Sequence, residues 1–544
     1  MQSHDEDRHF LRACQIAAGQ PVSQVDVVTG QVGGVLPIAE ADFVRDKLST
    51  DFLRQEDSLH TIRARLTALE RWAEKQRPFT EQRFAAFPSS AVYPAALYLP
   101  QVIGIRVATA FTQKVFIVFY AARIFNAIIA IAIISLALYC ASEHQYLLLL
   151  PAVLPISLYQ IASVSSDAGM ISLSILFVGL CLRFEHYDSR GLRLCLFVSL
   201  LLITLGKPVY LPAALLLLTS RNRLGWKRAA AFCLKLMAVG LVSYMMWSYV
   251  VRSFLITPLP ISAGSAPLVQ IHSLTAHPGA VVSTFAATLA HRGWTIWFDM
   301  IGVFGWGGLP LPTWFYMTTS LIALAIIVCL VANVKVFDQT RLALVLVAAI
   351  LISLAVFTAA YVLWTPPGSF EVLGLQGRYF IPLLVVCLFV APPLRSFGKY
   401  SRACLCTLSI GFFFISAWWT TRTVGAYYFP QSTLVGQNVH KLFRAGPVDS
   451  CPASLDQVRS DLLAFLEGGR TTLHDTRFRV ILTDSAGAII GESDPRLIGN
   501  DPNEWRANIW MPNSSQRIDS WLVQGTLACS FAQIEVKPPT IPTY

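Results

Sequence analysis

An acidic pair followed by a histidine, Asp5-Glu6-x-x-His9, lies near the start of the chain. Two adjacent carboxylates can divide the work of catalysis, because one can act as general base towards a hydroxyl group while the other orients a group or binds a metal. Acidic residues are also common in the first turn of a helix, and an amphipathic stretch from Phe10 to Ala18 follows here. Taken alone, the motif favours a helix N-terminus over a catalytic pair.

Two further motifs place a cation at the edge of an apolar stretch. In KPVY, at 207–210, Lys207 precedes a helix-breaking proline. Such a lysine either extends its ammonium to the interface with no further role or neutralises a lipid-borne phosphate. In QGRY, at 376–379, Arg378 offers a planar fork for phosphate oxygens and Gly377 permits close backbone approach. Both cations are therefore candidates for binding phosphate.

A tight turn at 165–167 and a long loop at 255–312 carry the remaining candidates. Asp167 ends the turn Ser165-Ser166-Asp167. Capping of the following helix is the favoured interpretation for Ser166 or Asp167 taken individually. The loop contains His291 and Arg292 beside several aromatic residues. Its aromatic residues are typical of a membrane interface, whereas His291 and Arg292 remain candidates for binding.

The composition indicates a membrane protein that carries these motifs between its spans. Hydrophobic residues make up 54% of the 544 residues, charged residues only 14%, and the mean hydropathy is +0.55. The chain contains no P-loop, no HExxH motif and no paired CxxC, which excludes the usual nucleotide-binding loop and the common zinc sites. About ten apolar stretches predict transmembrane helices, at 115–141, 147–163, 168–183, 193–206, 208–219, 229–253, 313–333, 342–364, 378–393 and 403–420.

The basic residues predict the orientation of these helices. Lys and Arg are concentrated in alternate gaps, around 183–193, 221–228, 335–341 and 395–402. The positive-inside rule places these gaps in the cytoplasm. The intervening loops and both long ends of the chain then lie on the external side, together with all five candidate motifs.

The two ends are predicted to form separate external regions. Residues 1–114 form a first external loop with amphipathic helices, and residues 115–420 form the transmembrane domain. Because a polar segment crosses a membrane only behind a signal or anchor, we expect one further transmembrane helix ahead of Met1. The alternative is a cytoplasmic N-terminus, which would invert the topology. Residues 421–544 contain alternating runs such as 478–483 and 531–536, which predict a small β-rich, sandwich-like domain.

Short motifs in a fixed order resemble a known family. The ordered set resembles bacterial inner-membrane proteins of unassigned function that are grouped with the GT-C glycosyltransferases, and the resemblance covers about residues 1–420. The family pattern has a proline after the acidic pair, where this chain has Asp7. The motifs are Asp5-Glu6-x-x-His9-Phe10, Tyr93-Pro94, Tyr98-Leu99-Pro100, Arg123-x-x-Asn126, Ser166-Asp167, Lys207-Pro208-Val209-Tyr210 and Gln376-Gly377-Arg378-Tyr379.

The resemblance implies a GT-C-like all-α membrane fold and a transfer reaction. Enzymes of this type move a sugar from a polyprenyl-phosphate carrier to an acceptor on the external face of the membrane. Asp5 would then be the general base, and Glu6 its orienting partner or substitute. Lys207, Arg378 and, more weakly, Arg292 would hold the carrier phosphate. The sugar or acceptor pocket would be lined by His9, Asp167, Tyr210, His291 and Tyr379.

The chemistry of such a transfer agrees with these residue types. It requires a base for the acceptor oxygen and cations for the leaving phosphate. An inverting single displacement needs no nucleophilic residue. We expect no cofactor and no metal, although some relatives use a divalent ion. The expected partners are the lipid-linked donor, a cell-envelope glycan or lipid acceptor and the lipid bilayer of a bacterial inner membrane, with no nucleic acid.

Two other functions remain open on the sequence alone. A transporter or flippase for lipid-linked saccharides would need a polar pathway through its spans, with broken helices and internal repeats. The chain has one clear break, at Pro208, and few charges inside its spans. A non-catalytic assembly protein would use the β-rich region to bind a cell-envelope polymer. Replacement of Asp5 separates the enzyme from both alternatives.

Overall fold

The structure is a computed structural model, and it describes most of the chain up to residue 428. The described residues are 5–27, 29–44, 81–252, 266–304, 309–332, 338–393 and 399–428, together with six strands between 441 and 537. The chain divides into two compact units, of which the first comprises residues 1–49 and 65–428 and the second comprises residues 50–64 and 429–544. The first unit is mostly helical and contains every candidate residue.

The N-terminal region combines helices with a small sheet. Helix α1 (Glu6–Ala17) covers the predicted amphipathic stretch, and α2 (Ile38–Phe43) follows it. Strands β1 (Gln24–Val25), β2 (Val32–Pro37) and β3 (Gln82–Ala86) form an antiparallel sheet in the order β1-β2-β3. The sequence predicted only helices here, because the short glycine-containing run at 32–37 lacks a clear alternation of apolar and polar residues.

Helix α1 is buried on most of its surface rather than on one face. Phe10, Ala13 and Arg12 are all fully buried. A Cβ atom at Gly34 of β2 would lie 2.6 Å from Nε2 of Gln15, so the strand requires glycine there to approach α1. The guanidinium of Arg12 donates hydrogen bonds to the carbonyl oxygens of Pro21 (2.7 Å) and Tyr93 (3.0 Å). These contacts fix α1, and with it Asp5 and His9, against the rest of the unit.

Most of the remaining described residues of the first unit form helices. Three are 3-10 helices of importance for the site: Ala95–Tyr98, Pro208–Ser220 and Gly377–Phe380. Strand β4 (Val303–Phe304) pairs antiparallel with β5 (Leu309–Pro310). The α-helices are α3 (Pro88–Ala91), α4 (Leu99–Thr109), α5 (Val115–Ala141), α6 (Gln145–Ala152), α7 (Pro155–Ile161), α8 (Ser166–His186), α9 (Arg190–Gly206), α10 (Arg221–Leu224), α11 (Trp226–Val250), α12 (Pro267–Ala276), α13 (Pro278–Gly302), α14 (Thr313–Ala332), α15 (Gln339–Trp364), α16 (Ile381–Leu388) and α17 (Lys399–Tyr428).

Four helical segments among the described residues are long and apolar enough to cross a membrane. They are Val115–Ala152, Ser166–His186, Trp226–Val250 and Gln339–Trp364, and two shorter apolar helices lie at Ala95–Thr109 and Gly377–Leu388. The several apolar helices agree with the predicted membrane class. The count of about ten spans and their orientation stay predictions.

Helix α8 lies at the centre of the apolar helices and is almost wholly buried. It packs closely on α5, because Gly179 leaves room for the backbone there. A Cβ atom at Gly179 would lie only 2.5 Å from the carbonyl oxygen of Ala137. The first turn of α8 therefore stands on a rigid, packed support.

Two predicted spans differ from a single α-helix. The stretch 147–163 is divided between α6 and α7, since Pro155 begins the second helix and cannot continue the first. At the predicted break, α9 ends at Gly206 and the 3-10 helix begins at Pro208. A Cβ atom at Gly206 would lie 2.7 Å from Sδ of Met170 in α8. The break thus brings Lys207 close to the first turns of α8.

In the second unit, the described residues form one antiparallel sheet. Its order is β10-β8-β7-β11-β6, with β9 beside β7. This one small sheet does not support the predicted β-rich, sandwich-like domain. The other residues of 421–544 lie outside the described part, apart from the end of α17. The strands are β6 (Lys441–Arg444), β7 (Arg477–Thr483), β8 (Ile489–Ser493), β9 (Arg496–Leu497), β10 (Ile509–Trp510) and β11 (Phe531–Lys537).

Candidate functional site

Glu6, the first residue of α1, is fully buried and forms an ion pair with Arg123 of α5. Nε of Arg123 donates to Oε1 of Glu6 (2.8 Å) and Nη2 donates to Oε2 (2.6 Å). The backbone N–H of Val164 also donates to Oε1 (2.6 Å). A carboxylate held by three hydrogen bonds and shielded from solvent does not meet the requirement of a general base, which must reach a substrate proton. The predicted catalytic role of Glu6 is therefore replaced by a structural one.

Asp5, its neighbour in sequence, lies in a different environment. Its backbone has φ 61° and ψ 13°, in the left-handed region that is uncommon for a residue with a side chain. The helix N-terminus that the motif alone favoured is confirmed, since Asp5 is the N-cap residue of α1 and Glu6 begins the helix. The Asp5 carboxylate makes no capping hydrogen bond, however, so the cap alone does not engage it. The side chain is 22% exposed, lies 3.9 Å from Nη1 of Arg8, and interacts electrostatically with Arg378. Of the acidic pair, Asp5 alone reaches solvent.

Asp167, in the first turn of α8, is shared by two cations. Nζ of Lys207 lies 2.6 Å from its Oδ1, and Nε of Arg378 lies 2.8 Å from its Oδ2. The predicted capping role of Ser166 or Asp167 is wrong, because Ser165 caps the helix by accepting a hydrogen bond from the Asp167 N–H (3.1 Å). The Asp167 carboxylate therefore serves the two cations instead of the helix end.

The two cation motifs are fixed to each other. Nζ of Lys207 lies 4.3 Å from the centre of the Tyr379 ring, a distance suited to a cation–π interaction. The hydroxyl of Tyr210 donates a hydrogen bond to the carbonyl oxygen of Tyr379 (2.8 Å). Lys207 is thus a partner of Asp167 and Tyr379, and the interpretation as a lysine without a further role is wrong. Tyr210 is buried and braces the turn that carries Arg378.

Gly377 brings Arg378 into place by allowing its 3-10 helix to contact α13. A Cβ atom at this position would lie 2.1 Å from the backbone nitrogen of Met300 and 2.3 Å from the carbonyl oxygen of Ile296. These are backbone atoms of a long helix and cannot move aside cheaply. The glycine before Arg378 is therefore required by packing, which agrees with the close backbone approach that the sequence suggested.

His9 lies within the same cluster. Its Nδ1 is 2.7 Å from the hydroxyl of Tyr98, and its ring centre is 5.9 Å from that of Tyr93. Burial lowers the pKa of His9 to about 4, although Asp5 and Asp167 act in the opposite direction. The imidazole is therefore neutral at neutral pH, and His9 contributes no positive charge to the site.

His291 and Arg292 belong to a neighbouring contact. Nδ1 of His291, whose side chain is 60% exposed, lies 2.9 Å from Oε1 of Glu371. Nη1 of Arg292 donates to the carbonyl oxygen of Val372 (3.3 Å). In the part of the chain that the structure describes, these side chains hold residues 371–372 against α13 rather than contact the Lys207 and Arg378 cations. The predicted phosphate and pocket roles of these two residues lack a contact with the cluster.

Several residues of the site were not assigned a role from the sequence. Tyr98 contacts His9, Tyr93 lies beside it, and Arg123 secures Glu6. Asn126, one turn after Arg123, donates to the carbonyl oxygens of Ile161 (3.3 Å) and Ser163 (2.8 Å). An arginine and an asparagine spaced i, i+3 inside an apolar span were the available signal, because polar groups in a membrane span are costly and lie on the inner face.

Two cations, Lys207 and Arg378, converge here with the carboxylates of Asp5 and Asp167 and with aromatic side chains, and Asp299 also interacts electrostatically with Arg378. No group of three or more His, Cys, Asp or Glu side chains in the described ranges could hold a metal ion. The arrangement can bind an anion through Lys207 and Arg378, and it can accept a proton at Asp5. It combines the two functions that a transfer from a phosphate requires.

A family model described as "Predicted membrane protein (DUF2142)" matches residues 1–387. The matched residues include α1, α5, α8, the break at Lys207 and the 3-10 helix that carries Arg378. No curated protein and no solved structure matches the chain significantly. The family match covers more than half of the chain and agrees with its apolar helices. The chain therefore belongs to the DUF2142 family of predicted membrane proteins.

Proposed function

We propose that the protein is a membrane glycosyltransferase of the GT-C type. It moves a sugar from a polyprenyl-phosphate carrier to a glycan or lipid acceptor on the external face of a bacterial inner membrane. The observation that carries this proposal is the pairing of Lys207 and Arg378 around Asp167, with Asp5 near enough to interact electrostatically with Arg378. Cations for a phosphate thus lie beside a solvent-reaching carboxylate.

The reaction is a single inverting displacement. The Asp5 carboxylate accepts the proton of the acceptor hydroxyl as the acceptor oxygen forms a bond to the anomeric carbon. The bond between that carbon and the phosphate oxygen breaks, and its electron pair remains on the phosphate. Lys207 and Arg378 stabilise the charge that develops on this oxygen. The proton on Asp5 then passes to solvent, which returns the site to its starting state.

The assignment of the base to Asp5 follows from the surroundings of the other two carboxylates. Glu6 is buried and held by Arg123. Asp167 lies between two cations, which stabilise its charged form and make it a weak base. Asp5 is partly exposed, so a substrate hydroxyl can reach its carboxylate from solvent.

The position of the site suits a donor carried by a lipid. Lys207 lies at the end of α9, and Arg378 lies at the start of a short apolar helix. The neighbouring α5 and α8 are apolar enough to cross a membrane. A phosphate on a polyprenyl chain would reach these cations while its chain stays in the bilayer. His9 and Tyr379 are then placed to contact the sugar.

The test is complementation in the native host, with the surface glycan analysed by mass spectrometry. Asp5→Asn and Arg378→Ala are each expected to remove one defined sugar from a surface polymer. Asp42→Asn is the matched control, since Asp42 makes an exposed ion pair with Arg83 in the N-terminal sheet region. An unchanged glycan in an expressed, membrane-inserted Asp5→Asn variant would remove the proposed base and favour a transporter or a non-catalytic assembly protein.

A further inference from the structure

We propose that Asp167 is a fixed internal counter-anion, which holds Lys207 and Arg378 in position and promotes release of the leaving phosphate. The inference rests on the proposed function, because it assumes that these two cations bind the carrier phosphate. It changes the role of Asp167 from a wall of the sugar pocket to a positioning residue. It also assigns the site a means of distinguishing its substrate from its product.

The first support is that the carboxylate cannot leave the cations. Asp167 is in the first turn of α8, the helix that packs on α5 through Gly179. The preceding loop is held by Asn126, and by Gln101, whose Nε2 donates to the carbonyl oxygen of Ser165 (3.2 Å). The Glu6 carboxylate also holds the Val164 N–H. Asp167 therefore stays beside Lys207 and Arg378 when an anion binds.

The second support is the balance of charge. Lys207 and Arg378 carry two positive charges, and Asp167 neutralises one of them, so these three groups by themselves carry a net charge of about +1. The carboxylate of Asp5 adds a further negative charge near Arg378, which increases the repulsion of a highly charged anion. The side chains of Asp167 and Arg378 are each 10% exposed, and that of Lys207 is 15% exposed. Charges so sheltered interact more strongly than charges in bulk water.

The third support is the different charge of donor and product. The sugar-linked carrier is a phosphodiester with one negative charge, whereas the released carrier is a phosphomonoester of about −1.5 to −2 at neutral pH. Two cations without a counter-anion would bind the released carrier most tightly and retard turnover. A fixed carboxylate repels the more highly charged product more than the donor. Asp167 thus lowers the affinity of the site for the released carrier, and the carrier dissociates faster.

The experiment measures binding to the purified full-length chain in dodecyl maltoside. The probes are farnesyl phosphate as the monoester, farnesyl methyl phosphate as the diester and farnesol as the uncharged reference. The variants are wild type, Asp167→Asn and Asp188→Asn. Asp188 is the matched control, because it also pairs with two cations, Arg193 and Arg223, away from the site. Asp167→Ser is a second variant, should Asp167→Asn not fold.

The expected result is a selective gain in affinity for the monoester, farnesyl phosphate. Asp167→Asn should bind farnesyl phosphate about tenfold more tightly than wild type, with a smaller gain for the diester and no change for farnesol. Asp188→Asn should match wild type with all three probes. Equal or weaker binding of the monoester by a folded Asp167 variant, together with clear binding by wild type, would overturn the inference. If wild type binds farnesyl phosphate no better than farnesol, the proposed function itself fails.

Discussion

Two carboxylate clusters lie close together in the N-terminal unit and differ in how their charges are matched. In the first, the fully buried carboxylate of Glu6 is held by the guanidinium of Arg123 in a bidentate ion pair. In the second, a single carboxylate, that of Asp167, is shared by two cations, Lys207 and Arg378. A matched pair has no remaining capacity for a ligand, whereas the unmatched pair of cations attracts an anion. The ratio of cations to carboxylates thus distinguishes the structural contact of Glu6 from the candidate binding site around Asp167, although both consist of carboxylates and basic side chains.

The largest expected effect is on stability, from breaking the matched pair. Replacing Glu6 by Gln leaves the buried guanidinium of Arg123 without its counter-charge, which costs about 3 to 5 kcal/mol in comparable proteins. The melting temperature of the purified protein in detergent should fall steeply. The double variant Glu6→Gln/Arg123→Met removes both charges and should recover part of the loss. A melting temperature equal to that of wild type in Glu6→Gln would show that the pair does not stabilise the fold.

The second prediction is the opposite for Asp5, namely a loss of activity without a loss of stability. Asp5→Asn should reduce sugar transfer by about 10²- to 10⁴-fold, as expected for loss of a general base. Its melting temperature should stay within about 1 °C of wild type, since the Asp5 side chain is partly exposed and makes no capping hydrogen bond to α1. The pair of variants at positions 5 and 6 therefore separates activity from stability in adjacent carboxylates. A large loss of stability in Asp5→Asn would assign a structural role to both residues.

The third prediction concerns the backbone that presents Arg378. Gly377→Ala would force a methyl group against the backbone of α13, 2.1 Å from the Met300 nitrogen. We expect a loss of about 1 to 3 kcal/mol in stability, together with a loss of phosphate binding as Arg378 is displaced. Gly279→Ala is the control. Gly279 lies on α13 itself, and nothing lies within 4 Å of its Cβ position. Retained farnesyl phosphate binding in Gly377→Ala would show that Arg378 tolerates a shift of its turn.

The apolar stretches and the cation motifs followed from the sequence because their signals are local. An apolar run long enough for a span and a proline after Lys207 act within a few residues. The roles of Glu6 and Asp5 did not follow, since their difference depends on Arg123, 117 residues further along the chain. The capping residue was misassigned for a similar reason. Ser165, Ser166 and Asp167 are all good caps, and only the positions of Lys207 and Arg378 decide which side chain is engaged elsewhere.

The sheet of β1 to β3 was missed because its pairing joins segments far apart in the sequence. Strand β2 pairs with β3 between Gly33 and Ala86 at one end and between Pro37 and Gln82 at the other. Two adjacent glycines in β2 weaken the strand signal, although one of them is required for contact with α1. The His9 environment could not be predicted either, since Tyr98 reaches it from a different element.

The last comparison concerns pH at constant sequence, and it involves two buried groups of the N-terminal region whose pKa values shift in opposite directions. Burial lowers the pKa of His9 to about 4, and it raises the pKa of Glu40 to about 7 although a hydrogen bond from Cys14 acts against the shift. Between about pH 4 and 6.5 the unfolded state binds more protons at His9, so this group makes stability rise with pH. Between about pH 4.5 and 7 the folded state binds more protons at Glu40, so this group makes stability fall as pH rises.

These opposite slopes can be separated by one variant of each residue. Thermal unfolding between pH 4 and 8 should show that His9→Gln loses the destabilisation of wild type at the acid end. Glu40→Gln should lose the destabilisation at the alkaline end, because the amide is neutral at every pH. The change in the free energy of unfolding caused by each variant should not exceed a few kcal/mol, since a shift of one pKa unit corresponds to about 1.4 kcal/mol. Parallel pH profiles for wild type and His9→Gln would mean that His9 titrates normally and is not enclosed by Tyr98 and its neighbours. Parallel pH profiles for wild type and Glu40→Gln would mean that the Glu40 carboxyl is in contact with water. Helix α2 would then not shield this carboxyl from solvent.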